Sequence, residues 1–130
     1  MRKFPSVVIL LSIFLLLLSA CGGKAGDPAA KAVEDYLTAL VEKDSSRLSA
    51  LSCSDWESNA LLELDSLQAV TTRLEGLDCA STGADGTTSE VACQGKIIAT
   101  YNNEDQELDL SARTYEVVQQ GGEYLVCGYK

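Results

Sequence analysis

Cysteine is the residue with the most chemistry to offer in this sequence, and histidine is absent. The five cysteines are Cys21, Cys53, Cys79, Cys93 and Cys127, and no two form a Cys-x-x-Cys pair. Without imidazole, no Ser-His-Asp or Cys-His constellation can form. Nor is there a side chain that ordinarily titrates near neutral pH, or a histidine metal ligand. The glycine-rich phosphate loops are also missing. What remains is carboxylate, phenol and thiol chemistry. Glu104, Asp105, Glu107 and Asp109 cluster, yet they lack the central glycine and terminal glutamate of an EF-hand loop. A solvated hairpin tip is the expectation, so no metal, cofactor or catalytic residue is assigned. Tyr36, Trp56 and Tyr115 are the candidate pocket side chains, with core packing the default for Tyr36 and Trp56.

The N-terminus bears on where the chain works. Arg2 and Lys3 precede an apolar run from Val7 to Leu18 broken only by Ser12, followed by the small residues Ser19 and Ala20. That order reads as a secretory signal over residues 1–20. The uncharged stretch is shorter than the roughly 20 residues a spanning helix needs, and no basic stop-transfer cluster follows it.

Leu18-Ser19-Ala20-Cys21 resembles the lipobox of bacterial lipoproteins. The resemblance implies cleavage before Cys21 and a diacylglyceryl group on its sulfur. It also accounts for the odd cysteine, leaving four that an exported compartment allows to pair. Residues 21–27 then form the lipidated cysteine and a short glycine-containing linker, and residues 28–130 form one domain. Loss of Arg2 and Lys3 takes the net charge from −9 to −11. Such acidity argues against nucleic acid, which binds through Lys and Arg. It also keeps the body off anionic lipid while acyl chains hold the anchor. The expected address is the cell membrane or outer membrane, on the extracytoplasmic side. Gly22 is not the Asp that resembles an inner-membrane retention signal.

Residue spacing sets out the elements. Asp27 reads as an N-cap with Pro28 at the first helical position. Ala29, Ala32, Val33, Tyr36, Leu37, Leu40 and Val41 make one apolar stripe, ending near Lys43. A short helical segment is expected at residues 47–51. Ser54 and Glu57 have capping-box spacing at the head of a second main helix, which stops between residues 64 and 68. Its buried side is expected to hold Trp56, Ala60, Leu61, Leu64 and Leu67. Residues 69–73 are open to helix or loop. Strands are expected at residues 74–80, 90–101, 106–119 and 123–129, with turn chemistry between them. The alternation flips register near Arg113, which suggests a bulge. Helices first and strands after indicate α+β, with helices packed on a curved antiparallel four-stranded sheet.

The segment from Tyr115 to Gly128, with its Gln120-Gly121-Gly122 turn, resembles the closing hairpin of the nuclear-transport-factor-two-like superfamily. Ala32 to Leu40 followed by Lys43-Asp44 resembles that family's first helix. The resemblance implies a cystatin-like cone of sheet capped by helices. It also brings in ketosteroid-isomerase-like enzymes, which use a carboxylate base and a tyrosine-containing oxyanion hole. No motif carries those roles to residues here. The expected function is a non-enzymatic domain binding a small apolar ligand or an envelope protein, anchored in the membrane through Cys21. An enzyme with a carboxylate base in the sheet–helix pocket is the alternative.

Four cysteines allow three connectivities. The turn near Gly86 lies midway between Cys79 and Cys93, so the two should face each other across adjacent antiparallel strands. Elimination pairs Cys53 with Cys127. Peptide mapping of the exported protein without reduction should recover Cys79–Cys93 and Cys53–Cys127. Recovery of Cys53 joined to Cys79 would refute this pairing.

Overall fold

The structure, a computed structural model, describes residues 26–130. The signal segment and Cys21 lie outside the described residues. Among the described residues three helices, α1 (Pro28–Glu42), α2 (Ser45–Ala50) and α3 (Ser54–Ser66), precede five strands. These are β1 (Thr71–Asp85), β2 (Thr88–Tyr101), β3 (Glu104–Asp109), β4 (Thr114–Gln120) and β5 (Glu123–Tyr129). The fold is α+β, with the helices packed on a curved antiparallel sheet. Among the described residues no helix is long and apolar enough to cross a membrane.

The start of α1 follows its sequence. The Asp27 carboxylate accepts from Ala30 N–H at 3.0 Å, and Pro28 occupies the first turn, where a missing N–H costs nothing. The same carboxylate accepts from Ser81 N–H at 2.8 Å, fixing the helix start to β1. Lys43 ends the helix in the left-handed region at φ 59°, and Asp44 N–H returns to Ala39 C=O at 3.0 Å. Val33, Tyr36, Leu37 and Leu40 on its inner stripe are fully buried.

The capping box expected for α3 does not form. Cys53 is the N-cap and makes no side-chain cap bond. Tertiary bonding overrides the local signal here. Cys53 N–H donates to Val126 C=O at 2.8 Å, and Val126 N–H donates to Leu51 C=O at 2.8 Å. This places Ser52 beside Val126 in a short parallel bridge that covers the outer edge of β5. The buried side of α3 is narrower than expected, with Ala60 and Leu64 buried and Trp56, Leu61 and Leu67 half-buried.

β2 is the central strand. β1 pairs along one edge. Its other edge is shared, by β4 against Thr88 to Ala92 and by β3 against Lys96 to Tyr101. The third strand expected over residues 106–119 is therefore two strands, and the sheet has five strands rather than four. A 3-10 turn at Leu110–Ala112 separates them, with the Asp109 carboxylate accepting from Ser111 N–H at 2.9 Å. Lys96 faces Asp109 and Ala92 faces Thr114, so the break adds one residue to the outer chain. The register flip near Arg113 thus takes the form of a turn. Leu110 is buried in the break, whereas Ala112 is exposed.

β1 extends beyond residues 74–80 at both ends. Thr72 Oγ1 donates to Val41 C=O at 2.7 Å, which holds the early part of the strand to α1. At the far end only Gly86 and Thr87 turn. Cys79 stands opposite Cys93 with Cα atoms 4.0 Å apart, and Cys53 lies 4.9 Å from Cys127 by the same measure. Both pairs are at disulfide distance. The buried residues described run from Ala29 to Gly128, so the core draws on both the helices and the sheet.

The sheet bends where β1 bulges between Glu75 and Asp78. Gly76 has φ 64° and Gly95 has φ 100°. A Cβ on Gly95 would stand 2.6 Å from the carbonyl oxygens of both Glu75 and Gly76. Backbone cannot yield there as a flexible side chain could. Gly86 also has positive φ, but nothing lies within 4 Å of its would-be Cβ. Gly95→Ala should therefore cost about 3 kcal/mol or more in urea unfolding, against roughly 1 kcal/mol for Gly86→Ala. Equal costs would show that the crossing at Gly95 does not set the bend.

Candidate functional site

Three elements bring the three candidate pocket residues together. Tyr36 comes from the middle of α1, Trp56 from the first turn of α3 and Tyr115 from β4. Trp56 Nε1–H donates to the Tyr36 hydroxyl at 3.0 Å. The rings of Tyr36 and Tyr115 meet edge-on with centroids 6.4 Å apart. Tyr36 and Tyr115 are fully buried. They therefore fill the space between helices and sheet rather than line an open pocket. Trp56 packs on Gly128, whose would-be Cβ lies 3.5 Å from its ring. That glycine makes room for the indole beside the Cys53–Cys127 pair.

Sequence reasoning missed three further members. Tyr129, opposite Tyr115 in register, has its ring 5.5 Å from both Tyr115 and Trp56. The Arg113 guanidinium lies 4.0 Å over the Tyr129 ring, a cation–π contact. Arg113 also pairs with Glu63 Oε1 at 2.8 Å, and both side chains are less than a fifth exposed. The signal for Glu63 was present, since it sits three residues after Ala60 and four before Leu67 on the helix face assigned to the core. A charge on an apolar stripe needs a partner. Arg113 fell at the register flip, where alternation does not say which way a side chain points.

A cleft of about 250 Å³ opens beside this pair, where the end of α3 meets β2 and β3. Leu67, Ile97, Ala99 and Leu108 supply its apolar walls, and Glu63 and Arg113 line it too. Glu107, also on its rim, is paired with Lys96 at 2.6 Å. A larger groove of about 470 Å³ lies outside α1, between Lys31, Ala32, Tyr124 and Leu125, and touches none of the aromatic cluster. The acidic residues of β3 are exposed. Asp105 is engaged with Thr100 and Arg73, and Asp109 with Ser111. Among the described residues no group of three or more His, Cys, Asp or Glu could hold a metal ion.

Burial sets the protonation of the phenols. It pushes Tyr115 from an ordinary 10.0 up to about 12, against the pull of nearby Arg113. Burial likewise raises Tyr36 well above the usual phenol range, although the Trp56 N–H bond opposes the shift. At neutral pH these hydroxyls are donors, and Glu63 offers acceptor oxygens.

No protein-family model matches the chain, and no curated protein matches it. Solved structures do. An NTF2-like protein with a cystatin-like fold from Novosphingobium aromaticivorans superposes with a TM-score of 0.57 at 12% identity, covering 98% of this chain and 89% of that one. A candidate ketosteroid isomerase from Shewanella frigidimarina gives 0.56 at 11% identity, covering 80% and 94%. Aln2 from a Streptomyces species gives 0.55 at 10% identity, covering 98% and 91%. At such identities the likeness is one of fold. The chain has the NTF2-like, cystatin-like fold, as the closing hairpin and first helix suggested.

A raised phenol pKa means that the folded state holds its proton more tightly than the unfolded one. The stability tied to the neutral Tyr115 is complete below pH 10 and is lost as pH rises through about 12. Its share should be roughly 2 kcal/mol. Urea unfolding across that interval should show stability falling, and falling less steeply in Tyr115→Phe. Parallel slopes for the two proteins would contradict a buried neutral phenol.

Proposed function

We propose that this chain is an exported lipoprotein, held in a membrane by lipid on Cys21, whose NTF2-like domain binds a partner molecule without chemistry. The observation that carries the binding half is the filled interior. Tyr36 and Tyr115 occupy the space where a deep pocket would lie, and the cleft beside Glu63 and Arg113 stays outside them. A shallow, mainly apolar cleft with a few polar groups suits recognition.

The domain's entry point supports an outward-facing cleft. Asp27, the start of the folded unit, is bonded to Ser81, and Ser81 faces Val91 of β2. Cleft residues Ile97 and Ala99 lie further along the same strand. Val91 to Ala99 spans at most about 26 Å at the rise of an antiparallel strand. Asp27, on the side of the chain that leads back to Cys21, and the cleft thus lie toward different ends of the sheet.

An enzyme of the ketosteroid-isomerase-like type has one observation in its favour, a carboxylate (Glu63) near a neutral buried phenol (Tyr115). Against it, the Arg113 guanidinium already holds that carboxylate.

Growth of the host with tritiated palmitate should label the protein and leave it in the membrane fraction. Cys21→Ala should lose the label and no longer be anchored by lipid. An unlabelled wild-type protein would refute the anchor.

A further inference from the structure

Glu63 has one carboxylate oxygen firmly held and one that is not. Oε1 accepts from Arg113, while Oε2 is shut off from solvent with no hydrogen bond of ordinary geometry, the Tyr129 hydroxyl being the nearby donor to the carboxylate. Among the described residues only the Tyr115 hydroxyl shares that state, and Tyr115 does not line the cleft. Buried acceptors are rarely left unmet, because burial costs them their water. Glu63 does line the cleft, so its carboxylate stands beside whatever lies there.

The charges around the cleft define what fits. Glu63 is balanced by Arg113 and Glu107 by Lys96, so the fixed charges cancel in pairs. An ammonium group could donate to Glu63 but would face Arg113. A carboxylate could accept from Arg113 but would face Glu63. A hydroxyl does both at once, without charge. The walls beyond it are mainly aliphatic, with Ser66 and Gln106 as their uncharged polar members. At about 250 Å³ the cleft is larger than the roughly 150 Å³ cavity that admits benzene and below the 300–1,000 Å³ of drug-sized sites. That range suits a single ring with a short substituent.

We propose that the cleft takes a small, uncharged, mainly apolar alcohol. Its hydroxyl donates to the Glu63 carboxylate and accepts from the Arg113 guanidinium, and its hydrocarbon lies against Leu67, Ile97, Ala99 and Leu108. This assignment rests on the cleft being the domain's binding site.

Two isomers separate the hydroxyl from the hydrocarbon. Cyclohexylmethanol both donates and accepts, whereas methoxycyclohexane only accepts. Each is titrated into the nitrogen-15-labelled full chain, and amide shifts are followed at Ile97, Ala99 and Leu108. The alcohol should bind about tenfold more tightly than the ether, the scale of one hydrogen bond to a charged acceptor. In Glu63→Met, with a retained folded spectrum, the two Kd values should converge. Leu108→Ala, on the opposite wall, should weaken both isomers alike and keep their ratio. Equal affinities in the wild-type protein would overturn the hydroxyl assignment and leave the cleft as an apolar binding site. No cleft shift with either isomer would overturn the small-molecule site as well.

Discussion

A fourteen-residue antiparallel strand bonded along both edges cannot curl without a break in its pairing, and β2 is such a strand. The break lies at Gly76 and Gly95, where the backbones approach too closely for a side chain on Gly95. Before the bend, Val91 and Cys93 point inward by simple alternation, and after it Ile97 and Ile98 are both buried. The 3-10 turn at Leu110–Ala112 answers the bend on the other edge of β2. Val91 and Tyr115, paired in register before the bend, pack under the helices, while Ile97, Ala99 and Leu108 beyond it wall the cleft. The cleft is therefore a consequence of the bend.

The aromatic cluster holds the two layers together from inside. Tyr36 alone would be a phenol buried without a partner, which burial makes costly. Trp56 supplies the N–H, and Trp56 in turn needs the open face of Gly128. Gly128 and Cys127 sit at the irregularity in the pairing of β4 with β5. Cys53 is the N-cap of the helix that carries Trp56. The bonds of Leu51 and Cys53 to Val126, the Cys53–Cys127 approach and the Trp56–Tyr36 bond thus converge on one corner. Ordering that corner protects the edge of β5 and fixes α3, which brings Glu63 to Arg113.

Much of the fold was legible because local chemistry and global packing agree. Asp27-Pro28 opens a helix and Gly121-Gly122 turns a hairpin wherever they stand. Cys79 and Cys93 sit symmetrically about Gly86, so antiparallel pairing alone brings them opposite. The errors fall where tertiary bonds overrule a local signal. Ser54 and Glu57 have capping spacing, but the backbone of Cys53 is claimed by Val126. The early part of β1 is tied to α1 by Thr72, far away in sequence. Tyr36, Trp56 and Tyr115 were readable as apolar-face residues and do meet. The ion pair beside them was not, because a salt bridge joining residues fifty positions apart leaves no periodic trace. Only the oddity of Glu63 on an apolar face was visible.

Charge acts on this molecule at two ranges. The full chain carries a net −9, which repels anions on approach but is screened beyond about 8 Å at physiological salt. Inside the cleft the pairs Glu63–Arg113 and Glu107–Lys96 leave little net field. The surface field therefore opposes anions, while the cleft offers paired charges and aliphatic walls rather than a net field.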